Sequence, residues 1–194
     1  MIAIASALAL ILAALTVCYG RQGLLRLALL DLRGGALIAV AVVAQALHVV
    51  LIGGEFVLLA LTAACLGLCL WQNRQRPGMA LIALGIGLNM LVMGANGGVM
   101  PLEPTVLAQT TGTAVNADSL VRYSKDKIIP DDMARFAVLG DRIALPGPLA
   151  QIAIWSLGDL ILLSGIAVLF TQVMKGPGQC SSTNLQAPSG ATPR

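Results

Sequence analysis

Charged side chains are scarce in this sequence. They make up 11% of its 194 residues, against about 25% in ordinary soluble domains. Long runs of Leu, Ala, Ile and Val separate the few charges, which is typical of a chain that lies in a bilayer. The net charge of +3 is small and spread along the chain, so no nucleic-acid partner is predicted.

Histidine and cysteine are scarce as well. His48 is the single histidine, so a His/Cys zinc site lacks its ligands. None of the four cysteines falls in the long polar segment, which argues against a disulfide framework: Cys18, Cys65, Cys69 and Cys180. Cys65 and Cys69 share one face of a predicted helix, which fits apolar packing or, less simply, a metal pair. The sequence predicts no metal and no cofactor.

Aromatic residues make up only 4% of the chain, so small and aliphatic side chains form the apolar runs and allow close helix packing. These runs predict an all-α membrane protein with five transmembrane helices. An outward-facing, partly helical cap loop is expected between helices 4 and 5. The membrane domain is expected at 1–175 and a disordered cytoplasmic tail at 176–194. The predicted spans are residues 2–18, 36–52, 56–71, 79–95 and 157–174, and the cap is residues 99–148.

The first apolar run, Ile2 to Cys18, has the composition of a signal peptide or of a membrane helix. Its nearest positive side chain, Arg21, follows the run instead of preceding it, so we expect a retained first span. From Gly20 to Gly35, arginines alternate with leucines. That pattern is typical of a segment lying at the headgroup level.

Three polar side chains interrupt the spans. Gln45 and His48 are three residues apart and share a helix face. They fit a hydrogen-bonded packing contact, which we favour, or alternatively a cofactor or proton site at His48. Asn89 lies near the middle of the fourth span, and we expect its partner on another helix.

The basic residues outside the spans indicate how the chain is threaded. With five spans, seven of them fall on one side and only Asp31 opposes them: Arg21, Arg26, Arg33, Arg74, Arg76, Lys175 and Arg194. Positive residues stay in the cytoplasm. The amino terminus and the cap are therefore predicted outside and the carboxyl terminus inside.

The stretch Asn96 to Pro101, Asn-Gly-Gly-Val-Met-Pro, marks the corner where the chain leaves the membrane. Asn and two glycines allow turn conformations, and Pro101 prevents a continuing helix. The cap that follows carries six acidic and five basic residues. Within it, Thr105 is expected to cap a helix that ends near Gly112, and Asp131 a second one that ends at Gly140.

Two further motifs bring the chain back to the membrane. Asp141-Arg142-Ile143 and the segment from Leu145 to Pro148 are predicted to be extended. Ser156-Leu157-Gly158-Asp159 has the pattern of a capping box, a Ser three residues before an acid at the start of an apolar run.

The order of these motifs resembles an uncharacterised family of bacterial multi-pass membrane proteins, a domain of unknown function. The resemblance runs to about Met174 and leaves out the tail with Cys180. It implies a small helical protein of the bacterial inner membrane and implies no activity. The matching pieces are Gly20-Arg21 to Leu32-Arg33-Gly34, Gly87-Leu88-Asn89, Asn96 to Pro101, Leu139 to Pro146 and Ser156 to Asp159.

If the three outward motifs meet, they form a shallow polar site with Asp141 and Asp159 as its acids. We expect one of these carboxylates to accept hydrogen bonds from Gly97 and Gly98 N–H groups or from Arg142. Such a site would bind a ligand, a cation or a partner protein; alternatively, the motifs only cap helices and hold the loop. The candidate binding residues are Asn96, Gly97, Gly98, Met100, Pro101, Asp141, Arg142, Pro146, Ser156 and Asp159.

Three classes of function fit such a chain. We favour an accessory or scaffold protein with an outward binding surface, whose partners are membrane lipids and another membrane protein or a second copy of the chain. A membrane enzyme would depend on Ser124 beside Lys125 or on Asp131 beside Asp132, and adjacent residues make poor catalytic pairs. A transporter subunit would need an ion path, and the spans contain no deep charge and no visible inverted repeat.

Overall fold

The computed structural model of the chain describes residues 2–50, 55–111, 126–130, 132–144 and 154–176. The apolar runs fold into long helices, and short elements connect α4 to α6. In chain order the elements are α1 (Ile2–Ala28), α2 (Gly35–Val50), α3 (Glu55–Asn73), α4 (Met79–Ala95), β1 (Met100–Leu102), α5 (Pro104–Thr111), β2 (Asp126–Ile128), a 3-10 turn (Ala137–Leu139), β3 (Ile143–Ala144), β4 (Ile154–Trp155) and α6 (Leu157–Lys175).

Three helical segments are long and apolar enough to cross a membrane: Ser6–Ala28, Phe56–Asn73 and Leu157–Lys175. Two shorter apolar helical segments accompany them, Gly35–Leu47 and Met79–Ala95. A bilayer core needs about 20 helical residues, with a range of about 17 to 25. The described chain is thus mostly helical and compatible with a membrane location.

Helix α1 contains a break at Gly20, where φ is 62° and ψ is −165°. The sequence predicts a first span ending at Cys18, followed by a separate basic segment. In the structure two helical segments meet at this non-helical residue, and the second continues to Ala28. Because Gly has no Cβ, it adopts these angles without the clash that other residues would meet.

Helices α4 and α6 run antiparallel and approach closely at glycines. A Cβ atom built on Gly85 would lie 2.6 Å from the backbone nitrogen of Leu162, and one on Gly165 would lie 2.7 Å from that of Ile82. Gly78, at the start of α4, faces the Gly165 carbonyl in the same way. Small residues at these positions let the two backbones touch, which is how membrane helices gain packing energy. Around them lies a hydrophobic cluster that includes Met79, Ile82 and Leu169.

Basic residues collect at one end of the helices, which we call the basic end: Arg26, Arg33, Arg74, Arg76 and Lys175. The Arg26 guanidinium donates to the carbonyls of Met174 and Lys175, at 2.9 and 3.0 Å, and so closes the last turn of α6.

The loop between α1 and α2 is fastened to the carboxyl end of α3, also at the basic end. The buried Asn73 amide accepts from Arg33 N at 3.1 Å and donates to Arg33 O at 2.7 Å. The Arg76 guanidinium donates to the carbonyl of Asp31 in the same loop.

The opposite end of α4 carries the cap, whose described parts are 99–111, 126–130 and 132–144. Strand β1 pairs with β2 in parallel, and β3 pairs with β4 in antiparallel orientation. A single bridge between Leu102 and Asp141 joins the two pairs. Met100 packs into a buried cluster with Leu59, Val92 and Met93, which connects the cap to α3 and α4.

The cap differs from its predicted structure in three ways. The all-α prediction misses the short strands, which are only two or three residues long and pair across distant parts of the chain. Thr105 is not a cap: α5 begins at Pro104, and the Thr105 hydroxyl donates to Glu103 Oε1 at 3.1 Å. The helix predicted to end at Gly140 is instead a set of turns and one 3-10 turn, and its predicted cap Asp131 lies outside the described residues.

Candidate functional site

A buried ring of hydrogen bonds joins α4 to the start of α6. The Ser156 hydroxyl donates to Asn89 Oδ1 at 3.0 Å, the Asn89 amide donates to Asp159 Oδ1 at 2.8 Å, and Asp159 N donates back to Ser156 Oγ at 3.0 Å. Asn89 is 7% exposed and Ser156 is 0% exposed. We call these three residues the polar ring.

Both sequence predictions about the polar ring are confirmed. Asn89 has its partners on another helix. Ser156 and Asp159 form a reciprocal capping box, in which Asp159 Oδ2 also accepts from Ser156 N at 3.2 Å. Gly158 lies between them because any Cβ atom there would collide with the Asn89 side chain.

The polar ring is built for structure more than for chemistry. The Ser156 proton is directed at an amide oxygen, which is too weak a base to activate a nucleophile. Both Asp159 oxygens already accept hydrogen bonds. A carboxylate held by donors at a helix amino terminus is also stabilised by the helix dipole.

Asn96 fastens the cap to the end of α4. Its side-chain nitrogen donates to Val92 O and Arg135 O, both at 2.8 Å, and its side-chain oxygen accepts from Arg135 N at 2.9 Å. Gly97 and Gly98 follow with φ of 76° and 91°, conformations that favour glycine. The Gly98 N–H donates back to Met93 O at 2.7 Å and so ends the helix.

The segment around Asp141 connects the other two motifs through its backbone. Asp141 N donates to Pro101 O at 3.0 Å, and Arg142 N donates to Trp155 O at 3.2 Å. Gly140 fits beneath Pro101, where a Cβ atom would lie 2.7 Å from the Pro101 oxygen. The chain therefore passes from the first motif to the third through buried Asp141.

The segment around Asp141 lies against the other two motifs, but Asp159 has different partners from those expected. Asp159 accepts from Asn89 and Ser156, whereas the Gly98 N–H that we expected to serve an acid is taken by Met93. Asn89 and Asn96 lie seven residues apart on α4, about 10 Å along its axis. The motifs thus form two levels, the polar ring between the helices and the Asn96 contacts above it.

The remaining candidate residues have varied surroundings. Met100 belongs to the buried cluster beneath the cap, and Pro101 is buried in β1. Pro146 lies outside the described residues, as do Ser124, Lys125 and Asp131 of the enzyme hypothesis. Ligand binding by the candidate set stays a prediction. Arg135 is a partner that sequence reasoning missed, because a backbone group carries no side-chain signal.

Two cysteines and one glutamine are polar groups within the predicted spans: Cys65, Cys69 and Gln45. Cys65 and Cys69 are buried in α3, and the Cys69 thiol lies 3.6 Å from Arg33 O. Across the part of the chain that the structure describes, no three His, Cys, Asp or Glu residues are grouped to hold a metal ion. His48 lies in α2, and the Gln45 amide nitrogen nearby in sequence is buried without a hydrogen-bond partner.

An open apolar groove of about 280 Å³ lies between α2 and α3, lined by residues such as Val43, Ala44, Leu58 and Leu61. None of the residues that line it belongs to the three motifs. The groove is therefore separate from the candidate site.

Comparison with known proteins agrees with the motif pattern. A family of unknown function, DUF5317, matches residues 29–171, which include all three motifs and the helices that carry them. No curated protein and no solved structure matches the chain. The match extends over most of the sequence, from the loop before α2 almost to the end of α6, and the chain therefore belongs to the DUF5317 family of unknown function.

Proposed function

We propose that this chain is a five-span protein of the bacterial inner membrane that serves as an accessory or scaffold protein. Helices α1, α2, α3, α4 and α6 would cross the bilayer, with the amino terminus and the cap outside and the carboxyl terminus in the cytoplasm. The cap would present a fixed surface to another membrane protein or to a second copy of the chain.

The arrangement of helix ends supports five crossings. Contacts of Arg26 with α6, and of Asn73 with Arg33, bring the ends of α1, α3 and α6 and the start of α2 to the basic end. Gly78 at the start of α4 meets α6 near that end, and Asn96 at its other end holds the cap. Each long helix would thus run from one membrane face to the other.

Exposed side chains on these helices support lipid as the surrounding medium. Leu10 and Val17 of α1 and Phe56 and Val57 of α3 are largely exposed. In water such surfaces would be costly, whereas lipid tails cover them without penalty. Helices α2 and α4 are short for a bilayer, and local thinning or the flanking arginines would accommodate them.

One observation carries the scaffold proposal: the side chains of the polar ring and of Asn96 are engaged in hydrogen bonds that join α4 to α6 and to the cap. The polar ring satisfies its own donors and acceptors, and the Asn96 amide makes three bonds, two of them to Arg135. A catalytic site leaves a nucleophile or base facing its substrate. Here the same groups join α4 to α6 and to the cap, which suits a fixed surface that partners recognise.

Co-purification in mild detergent tests this proposal. We expect a partner that stays with the wild type and with Asp132→Ala, an exposed cap position, and that is lost from Asn96→Ala. A tightly bound lipid or small molecule in place of a protein would favour a ligand site. Turnover of a lipid or peptide that stops in Asp141→Asn would replace the proposal with an enzyme.

A further inference from the structure

Phe136 has a backbone conformation that its own side chain disfavours. Its φ is 56° and its ψ is 39°, in the left-handed region. Within the described ranges it is the one residue other than glycine with a positive φ. Gly or Asn adopts this conformation at much lower cost. A phenylalanine here therefore calls for an explanation in terms of its side chain.

The side chain of Phe136 does not pack in the core of the protein. It is 53% exposed, and two large neighbours in the same turn, Met133 and Val138, are 74% and 75% exposed. We call residues 132–139 the apolar turn. Three large apolar side chains facing outward from one short turn indicate a surface that something covers.

Asn96 fixes the position of the apolar turn relative to α4. It binds both the N–H and the carbonyl of Arg135, next to Phe136, at 2.9 and 2.8 Å. Asn96 is also the residue that ends α4, whose sequence from Met79 to Ala95 contains no charge. If α4 crosses the bilayer, its end lies at the headgroup level, and the apolar turn is held at that depth.

We propose that the apolar turn inserts Phe136, Met133 and Val138 into the boundary between headgroups and acyl chains of the leaflet beside the cap. The partner is the phospholipid surface itself. Aromatic and aliphatic side chains with an adjacent arginine are typical of this level of a membrane. Arg135 is exposed in the same turn, where its guanidinium can reach lipid phosphates. The turn thereby sets the height of the cap above the bilayer.

The test uses tryptophan fluorescence in phosphatidylcholine nanodiscs. The native tryptophans are first replaced by Trp71→Phe and Trp155→Phe. Trp71 is exposed, whereas Trp155→Phe removes a buried indole whose nitrogen has no hydrogen-bond partner and leaves a small cavity. The melting temperature of this background is therefore the reference for the later variants. Val138→Trp then reports on the apolar turn. We expect lipids brominated near the headgroup to quench most of its emission and aqueous iodide to quench little.

A second variant isolates the role of Phe136. Phe136→Asn suits the left-handed backbone, so the melting temperature in detergent should stay the same or rise. In the Val138→Trp background it should weaken quenching by the bromolipids and increase quenching by iodide. Unchanged quenching, or a lower melting temperature, would overturn the anchor role, since Phe136 would then contribute only to the fold.

Leu84→Trp, on an exposed face of α4, separates this inference from the proposed function on which it rests. Lipids brominated deep in the acyl chains should quench it if α4 crosses the membrane. Deep quenching at Leu84 with an iodide-accessible Val138→Trp would refute the anchor alone. A Val138→Trp shielded from both quenchers would also refute it, in favour of a protein partner. A Leu84→Trp that lipids leave unquenched would refute the span and the anchor with it.

Discussion

Gly85 of α4 and Gly158 of α6 pack backbone against backbone: a Cβ atom built on Gly85 would lie 2.5 Å from the Gly158 carbonyl oxygen. The contact lies one turn of α4 from Asn89, so it also sets the distance across which Asn89 reaches Ser156 and Asp159. The glycines and the polar ring therefore depend on each other. Close approach allows the hydrogen bonds, and the hydrogen bonds hold the two helices in register.

Gly85→Ala should lower the stability of the detergent-solubilised protein. The added methyl group would meet backbone atoms of α6, which cannot rotate away, and forced overpacking of this kind costs about 1–3 kcal/mol. Alanine recovers up to about 1 kcal/mol through its higher helix propensity, so the net loss is smaller. The measurement is the thermal unfolding midpoint in a single detergent.

Gly87→Ala is the matched control on the same helix. Nothing lies within 4 Å of a Cβ atom at Gly87, so only the helix propensity changes, and the midpoint should stay constant or rise. Equal midpoints for the two variants would mean that α4 and α6 pack less closely than described.

The sequence already contains the parts of this junction that are local. The Ser156–Asp159 capping box needs four consecutive residues, and its pattern is readable without a structure. Asn89 can be recognised in the sequence as a polar residue in an apolar helix. Hydrogen-bond partners that lie far apart in the chain cannot be recognised in this way. Arg135 lies 39 residues from Asn96, and no local signal connects them. The strands were missed for the same reason, because two or three residues show no alternation and their pairing depends on tertiary contacts.

Asp159→Ala should destabilise the protein even without any ligand. It leaves the Asn89 amide and the Ser156 N–H without their acceptor in a largely buried place, at a cost of about 1–3 kcal/mol. Asn89→Ala should have a similar effect. Because both residues serve one ring, the double variant should lose less than the two single losses combined, by about 0.5–3 kcal/mol. Strictly additive losses would show that the ring does not act as a unit.

The control for this cycle is Asp132→Ala. From the sequence alone, Glu103 looks solvated and would serve as the neutral acid. In the structure Glu103 is half-buried, and one of its oxygens is buried without a hydrogen-bond partner. Asp132 is exposed, so its removal should leave the midpoint unchanged. A loss as large as that of Asp159→Ala would indicate a general effect of removing negative charge.

Asn96→Ala should release the apolar turn from α4. The Arg135 N–H loses its acceptor, Asn96 Oδ1. Its hydrogen exchange should become faster, because the local opening that exchange requires no longer has to break this hydrogen bond. Asn96→Asp offers a sharper comparison, since it keeps the acceptor for Arg135 N–H and loses the donor to Arg135 O. Exchange at Arg135 should then remain slow. Fast exchange of the Arg135 N–H in the wild type would mean that Asn96 does not hold the apolar turn.

Threading is tested by reporters on both sides of the membrane. The basic end collects Arg26, Arg33, Arg74, Arg76 and Lys175, whereas the cap carries nearly balanced charge, and positive residues remain in the cytoplasm. A fluorescent protein fused after Lys175 should therefore fold and emit, and alkaline phosphatase at that position should be inactive. Inserted near Gly112, which lies in the cap outside the described residues, the two reporters should give the opposite result.

Phosphatase that is active after Lys175 and inactive near Gly112 would mean that the protein has the opposite orientation in the membrane. Equal reporter signals at both positions would mean that α6, the long helix between them, does not cross the membrane.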